Sequence, residues 1–389
     1  DQRIDHKAIS MFMKYSYIPE PLSIYQKTKK LPPGSYIKIS YKSLKKEIEV
    51  KKFWKLEENI NCEDTNYSKL DSTNIINIFE EKLLKSVSLQ QLSDQPLGAF
   101  LSGGVDSSLI VSLMQSMNEK KIKTFTIGNL DKRYDESDRA KDISKFLGTD
   151  HHELLFNSKD ILDVIPKLQQ VYDEPFADSS QIPSFLVSSL AKEYVKVCLS
   201  GDGGDEIFGG YNRYLWSIRF NKTPKISKKI LSILLNKISS KNLASIYNFL
   251  EVLLPNSYRF KLPEEKFQKI QYFIESNNSL DLYKNLVTTP YLDKSVLLND
   301  HSFDNLEDKW NNFKNIVNDT TLMMALDFQT YLGDDILCKN DRASMYHSLE
   351  VRTPFLDKDV IKFAFNISDK LKIRGGESKW ISKQLLKRY

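Results

Sequence analysis

Serines, glycines and an aspartate crowd into one stretch, Leu97-Gly-Ala-Phe-Leu-Ser-Gly-Gly-Val-Asp-Ser-Ser108. The apolar run Leu97–Leu101 predicts a short strand, Ser102-Gly103-Gly104 a turn, and the residues from about Asp106 a helix with apolar spacing at Leu109, Ile110, Leu113 and Met114. Paired glycines let a backbone approach a ligand and present its N–H groups. Ser102, Ser107 and Ser108 add hydroxyl donors, and a helix N-terminus adds a positive dipole end. The chemistry this favours is an anion cradle, most naturally for phosphate. A plain strand–turn–helix connection would use the same residue types.

A second glycine-rich turn, Ser200-Gly-Asp-Gly-Gly-Asp-Glu206, carries three carboxylates, Asp202, Asp205 and Glu206. Carboxylates so close repel one another unless a cation is present. Mg²⁺ takes a few carboxylates together with phosphate oxygens and water. Asp106 and Asp205, at neighbouring strand ends, make a fitting pair for it. A solvated acidic turn is the simpler alternative, above all for Asp202 and Glu206. Lys379 follows a glycine pair in Arg374-Gly-Gly-Glu-Ser-Lys379 and suits a mobile charge reaching a phosphate, although a solvent-facing lysine at a helix start reads the same way. The adjacent His151 and His152 fall on opposite faces of a strand, which favours a structural role over shared metal binding. The polar loop Tyr172–Ser180 either contacts substrate or only turns the chain.

The elements that must position these groups alternate. Strands are expected at Leu97–Leu101, Lys123–Ile127, His151–Phe156 and Val195–Ser200. Helices are expected around Ile75–Leu84, Asp138–Leu147, Ile161–Val171 and Ile182–Lys192, and from Thr320. This order implies an α/β fold with a parallel sheet and helices on both faces. Both glycine turns then sit at strand carboxyl ends, where such sheets bind ligands. Residues 211–318 read as helical, and a last helix begins near Ser378. Near the amino terminus, Ser35–Ser40 and Ile48–Trp54 alternate like strands, a β remnant that needs packing against something else.

Composition narrows the classes. The 389 residues carry a net charge of +5, with 41% hydrophobic and 28% charged residues, as in a globular protein with a substantial core. The mild lysine excess is better explained by a solvated surface than by nucleic-acid binding. No apolar run is long enough to span a membrane. Cys62, Cys198 and Cys338 are odd in number and far apart, which argues against a disulfide or zinc framework and for a reducing, cytoplasmic setting.

These motifs together resemble a known family. Ser102-Gly-Gly-Val-Asp-Ser107 resembles the pyrophosphate loop of the ATP pyrophosphatase (PP-loop) superfamily; the GxxxxGK[ST] loop is absent. Phe125–Gly128, Phe146–Glu153, Asp173–Gln181, Leu199–Tyr211 and Leu349–Asp357 resemble, in order, glutamine-dependent asparagine synthetases. Tyr15–Tyr25 and Lys30–Gly34 resemble the end of that family's glutaminase domain. The resemblance implies an adenine nucleotide α-hydrolase-like fold with a helical carboxyl-terminal part. It divides the chain into a glutaminase remnant (residues 1–58), a linker (59–74) and a synthetase domain (75–389).

By this similarity, Leu101, Ile127, Ser200 and Gly201 would line the adenosine site, and Ser102, Gly103, Gly104, Ser107 and Ser108 would hold the pyrophosphate. Asp106 and Asp205 would coordinate Mg²⁺, Lys379 would steady the leaving pyrophosphate, and Asp202 would serve acyl-adenylate formation. The implied reaction adenylates the side-chain carboxylate of aspartate with ATP, releases pyrophosphate and lets ammonia displace AMP. The alternative is a relative that adenylates another carboxylate, such as a sugar acid or a carboxyethyl amino acid. Small-molecule substrates are expected, with neither nucleic acid nor membrane as partner, and a homodimer is left open. The family's glutaminase uses an amino-terminal cysteine; here the first cysteine is Cys62 and the sequence opens on Asp1. That predicts no glutamine hydrolysis by these residues, and favours a fragment over a chain that lives on free ammonia.

Overall fold

Five parallel strands form the centre of the protein, in the order β5–β4–β3–β6–β7. They are β3 (Leu97–Phe100), β4 (Lys123–Asn129), β5 (Asp150–Phe156), β6 (Val197–Leu199) and β7 (Glu350–Arg352). A computed structural model describes residues 3–39, 49–60, 67–129, 137–224, 226–227, 240–250, 263–289, 306–313 and 318–389. The first three sheet strands step outward from β3 in one direction. The chain then returns to lay β6 against the other side of β3. The order therefore reverses between β3 and β6, which opens a crevice at their carboxyl ends.

Both faces of the sheet are covered. Ala99, Leu101 and Leu199 pack into the main core with α2 (Ser72–Gln90) and α3 (Val105–Ser116). Phe100, Phe125 and Cys198 face α7 (Gln181–Lys192) on the other side. The four expected strands are present with shifted ends. The fifth, β7, was not anticipated: three residues before Thr353-Pro354 are too few to show a period of two.

Helix α3 is buried almost all round rather than along one stripe, because α2 and the helix Trp380–Leu386 close over its outer side. The helix expected at Ile161–Val171 is broken. Ser158–Val164 (α5) and Leu168–Tyr172 (α6) flank a 3₁₀ turn, Ile165–Lys167. Pro166 explains the break, since proline lacks the N–H and clashes with the preceding turn.

The region after residue 211 is helical where described, from α9 (Asn212–Lys222) to the helices Ser240–Leu250, Pro263–Glu275, Ser279–Val287 and Leu306–Phe313. In the core, Phe79 of α2 lies between Phe208 and Phe363, with ring centroids 4.7 and 5.5 Å away.

At the amino terminus the two expected strands are present in shorter form, β1 (Ser35–Ile37) and β2 (Val50–Lys52), and they pair antiparallel with each other. Before them lies an unexpected helix, α1 (His6–Tyr15), capped by Asp5. Ala8, Met11, Ile18, Leu22 and Ile24 form a small core of their own. Lys30 ties this segment to the body through Glu174 at 2.7 Å, and Ala177 N–H donates to the Ser16 carbonyl at 2.9 Å.

Candidate functional site

The two glycine turns face each other across the crevice between β3 and β6. After β3 the chain turns through Ser102–Gly104, with Gly103 at φ +74, and enters α3 with no side-chain cap at Gly104. The first N–H groups of α3 are thus free of a capping side chain, as an anion site requires. The turn is braced internally: Ser107 Oγ accepts the Ser102 N–H at 3.1 Å and lies 3.0 Å from Ser102 Oγ. After β6, Ser200–Gly203 leads into the short helix α8 (Gly204–Phe208).

Glycine lets the two turns touch. A Cβ on Gly201 would lie 2.7 Å from the Ser107 nitrogen, and one on Gly204 2.5 Å from Asp106 Cγ. Neither position has room for a side chain, so the second turn rests directly on the start of α3.

Lys379 completes the third side. It precedes the helix Trp380–Leu386 in a left-handed backbone conformation, φ +54. Its Nζ lies 2.6 Å from Asp106 Oδ2 and 2.6 Å from Asp205 Oδ1. Burial pushes the Asp106 carboxyl up to about 6, against the pull of Lys379 and with the like charge of Asp205 adding to the rise. Burial lowers Lys379, but Asp106 and Asp205 outweigh it and hold the ammonium above its ordinary range.

These groups line one cavity of about 490 Å³. Leu101, Ser102, Gly104, Asp106, Ser107, Ile127, Ser200, Gly201, Asp202, Asp205 and Lys379 all reach it. Gly103 does not; it backs onto Arg139. Nor does Ser108, whose hydroxyl donates to the Gly104 carbonyl at 2.7 Å. Its lining combines apolar side chains, Leu101, Phe125, Ile127, Phe156 and Val187, with the charged groups Asp106, Asp202, Asp205 and Lys379.

Glu206 is not a solvated turn residue. It is buried and accepts the Tyr211 hydroxyl at 2.8 Å, and burial pushes its carboxyl up to about 8. Asp202 is half-buried at the cavity wall. Its Oδ2 accepts from Ser200 Oγ at 2.7 Å and from Asn340 Nδ2 at 2.7 Å. Burial holds Asp202 above the usual carboxylate range, opposed by the Ser200 hydroxyl, Lys339 and Asn340.

The donor set fits a magnesium ion that shares its coordination with phosphate. Oδ1 of Asp106 is buried with no hydrogen-bond partner, and a cation, the Lys379 ammonium, already sits between Asp106 and Asp205. Among the described residues no cluster of three or more His, Cys, Asp or Glu side chains could hold a metal by itself. Mg²⁺ needs no such cluster, since it binds through one or two carboxylates plus substrate phosphates.

Sequence reasoning missed Asn340 and Ser184, which also line the cavity. Ser184 is an isolated polar residue within a helix, and Asn340 is a neutral one among the charged Lys339, Asp341 and Arg342. The loop Tyr172–Ser180 supports the site from behind: Asp178 Oδ2 and Ser180 Oγ hold Lys339 Nζ at 3.1 and 2.7 Å. His151 and His152 point apart as expected. His151 Nδ1 lies 2.9 Å from Thr124 Oγ1, and the His152 ring packs on Tyr194 at 3.9 Å. Cys198 and Cys338 are free thiols; Cys62 lies outside the described residues. Among the described residues no helix is long and apolar enough to cross a membrane.

Comparison with known proteins gives the family. The asparagine synthase family model matches residues 79–389. Asparagine synthetase [glutamine-hydrolyzing] 1 of Bacillus subtilis is 30% identical over 98% of this chain and 56% of its own length. Asparagine synthetase [glutamine-hydrolyzing] 3 of the same organism is 27% identical over 80% of the chain and 45% of its own length. Asparagine synthetase [glutamine-hydrolyzing] 3 of Arabidopsis thaliana is 37% identical over 38% of the chain and 26% of its own length. The chain spans about half the length of the first of these relatives, or less for the others. The extent of the family match and the relative that follows the chain nearly end to end show that it belongs to the asparagine synthase family.

Proposed function

We propose that this chain carries the ATP-dependent, amide-forming site of an asparagine synthetase. A carboxylate oxygen of aspartate attacks the α-phosphorus of ATP, the bond to the β-phosphate oxygen breaks, and pyrophosphate leaves with the electron pair. Ammonia then adds to the acyl carbon of the aspartyl adenylate and AMP departs, giving asparagine after loss of a proton. The observation that carries this reading is Lys379 bridging Asp106 and Asp205 across two glycine turns that meet at the sheet reversal.

Each part of the site has work in such a reaction. The apolar part of the lining, with Leu101 and Ile127, suits an adenine ring. The free N–H groups at the start of α3 and the Ser102 and Ser107 hydroxyls suit phosphate oxygens. Lys379 supplies positive charge where the pyrophosphate develops its own negative charge. Asp106 and Asp205 would hold Mg²⁺, which when bound neutralises phosphate charge and orients the polyphosphate. Catalysis on this reading is positioning and charge neutralisation; neutral ammonia needs no general base to attack an activated acyl group.

The proposal assigns residues 75–389 to the synthetase domain, 59–74 to a connector and 1–58 to the end of a glutaminase domain. The test is direct. Purified chain with ATP, Mg²⁺, aspartate and ammonium is expected to release pyrophosphate and form asparagine. Pyrophosphate release with sugar acids and none with aspartate would reject aspartate as acceptor.

A further inference from the structure

We propose that a second cavity, between the amino-terminal segment and the helical region, binds a small organic acid whose apolar body is about the size of a benzene ring. This cavity shares no lining residue with the nucleotide cavity. The inference therefore goes beyond the adenylating reading and does not depend on it.

Size sets the first limit. The cavity has a volume of about 220 Å³. An apolar cavity of about 150 Å³ already accepts benzene, so a ring with one small substituent fits. Tyr17, from the amino-terminal segment, forms part of one wall; Leu286 and Val287, at the end of the helix Ser279–Val287, form an apolar part of the other.

The polar groups set the chemical class, because donors outnumber acceptors. Arg213 lines the cavity and spends only its Nε, which donates to Asp327 at 2.7 Å. Among the described residues neither terminal nitrogen of its guanidinium finds an acceptor, and Nη2 is buried in that state. The hydroxyls of Tyr17 and Tyr331, also on the wall, donate to no acceptor among the described residues. Burial holds both phenols above their ordinary range, so they stay protonated. The acceptors on the wall are already spent. Lys309 answers the Glu20 carboxylate at 3.4 Å, and Thr330 Oγ1 donates to the Leu326 carbonyl at 2.7 Å. A carboxylate brings two acceptor oxygens to this surplus, and hydrogen bonds to an ionised acceptor are the stronger kind.

The principal donor is also fixed before a ligand arrives. Asp327 holds Arg213 Nε, and the guanidinium carbon lies 4.1 Å from the centre of the Tyr211 ring and 4.9 Å from that of Tyr331. A donor held in place loses little freedom on binding.

The test titrates the purified full chain calorimetrically with benzoate, benzyl alcohol and benzylamine, which match in size and differ in charge. Benzoate is expected to bind in the millimolar range or below, at least about tenfold tighter than either of the others. Val287→Phe, which fills the cavity, should weaken benzoate at least about tenfold and abolish the rise in Tm that benzoate gives the parent. Tyr17→Phe keeps the volume, removes one donor and should weaken benzoate about three- to tenfold; it covers the case in which Val287→Phe fails to fold. No binding at millimolar benzoate, equal affinity for benzyl alcohol or benzylamine, or unchanged benzoate affinity in both variants would overturn the inference. None of these readouts needs ATP turnover, so its failure is separate from any failure of the adenylating reading.

Discussion

The ammonium of Lys379 donates to Oδ2 of Asp106 at 2.6 Å, across 273 residues of sequence. The bond joins the start of the helix Trp380–Leu386 to the first turn of α3. It holds a cation where a polyphosphate would need one. It also keeps the buried Asp106 carboxylate balanced when no phosphate is present.

Lys379→Ala is therefore expected to lower pyrophosphate release by about 10²- to 10³-fold, the usual loss when a positioned electrostatic group is removed. The chain should still fold, since the helix Trp380–Leu386 is anchored by Ile381 and Leu385. Single-turnover release and thermal melting are the two measurements. A rate within a fewfold of the parent would remove Lys379 from the reaction.

Gly204→Ala tests the contact between the two turns. The added methyl would arrive 2.5 Å from Asp106 Cγ, and Asp106 is pinned by Lys379. Overpacking of this kind costs about 1–3 kcal/mol. Calorimetric titration with a non-hydrolysable ATP analogue and Mg²⁺ should show at least a tenfold weaker affinity. Unchanged affinity would mean that the turns need not touch for the nucleotide to bind.

Asp334 gives a pH dependence with a definite sign. Burial lifts it to about 7 from 3.8, against the pull of Lys30 and of the Glu20 N–H that it accepts. Because folding raises this value, the associated stability is complete below about pH 4 and is lost as the pH climbs through about 7. Between pH 6 and pH 8 the group should remove about 1 kcal/mol. Asp334→Asn retains an acceptor for Glu20 without the charge, so its unfolding in urea should depend less on pH over that interval. Identical pH dependence in variant and parent would contradict the assignment.

Asp327 anchors the helical region. It is buried and accepts from Arg213 Nε at 2.7 Å, Tyr214 at 2.5 Å and Tyr283 at 2.9 Å. Asp327→Ala would strand the Arg213 guanidinium and two phenols, a loss of about 3–5 kcal/mol. Denaturant unfolding measures it; a cost below about 1 kcal/mol would show that water replaces the lost acceptor.

How much of this was legible in the sequence depended on whether the signal was local. Ser102–Gly104 and Ser200–Gly204 announce themselves because each joins an apolar run to a helix start, and the turn chemistry lies in consecutive residues. Their approach to each other follows from strand order, which alternation suggests but does not fix. The strand β7 was too short to be periodic. Pro166 breaks a run whose apolar spacing on either side is that of one continuous helix. Asn340 and Ser184 are hidden for a different reason: their meaning lies in partners 138 and 156 residues away, and the charges around Asn340 draw attention away from a neutral amide. Glu206 misled in the other direction, because an acidic turn suggests solvent until α9 brings Tyr211 over it.

The contacts of Glu174 carry one more consequence. Lys30 and the Ile24 N–H reach it from the amino-terminal segment, and Arg342 from the helix Cys338–Tyr346, which also carries Lys339 and Asn340. One carboxylate thus ties the amino-terminal segment to the helix that carries Asn340 on the cavity wall. Loss of residues 16–30 would leave Glu174 with Arg342 as its remaining partner among these three, while the contacts that join the two glycine turns to Lys379 would all stay in place.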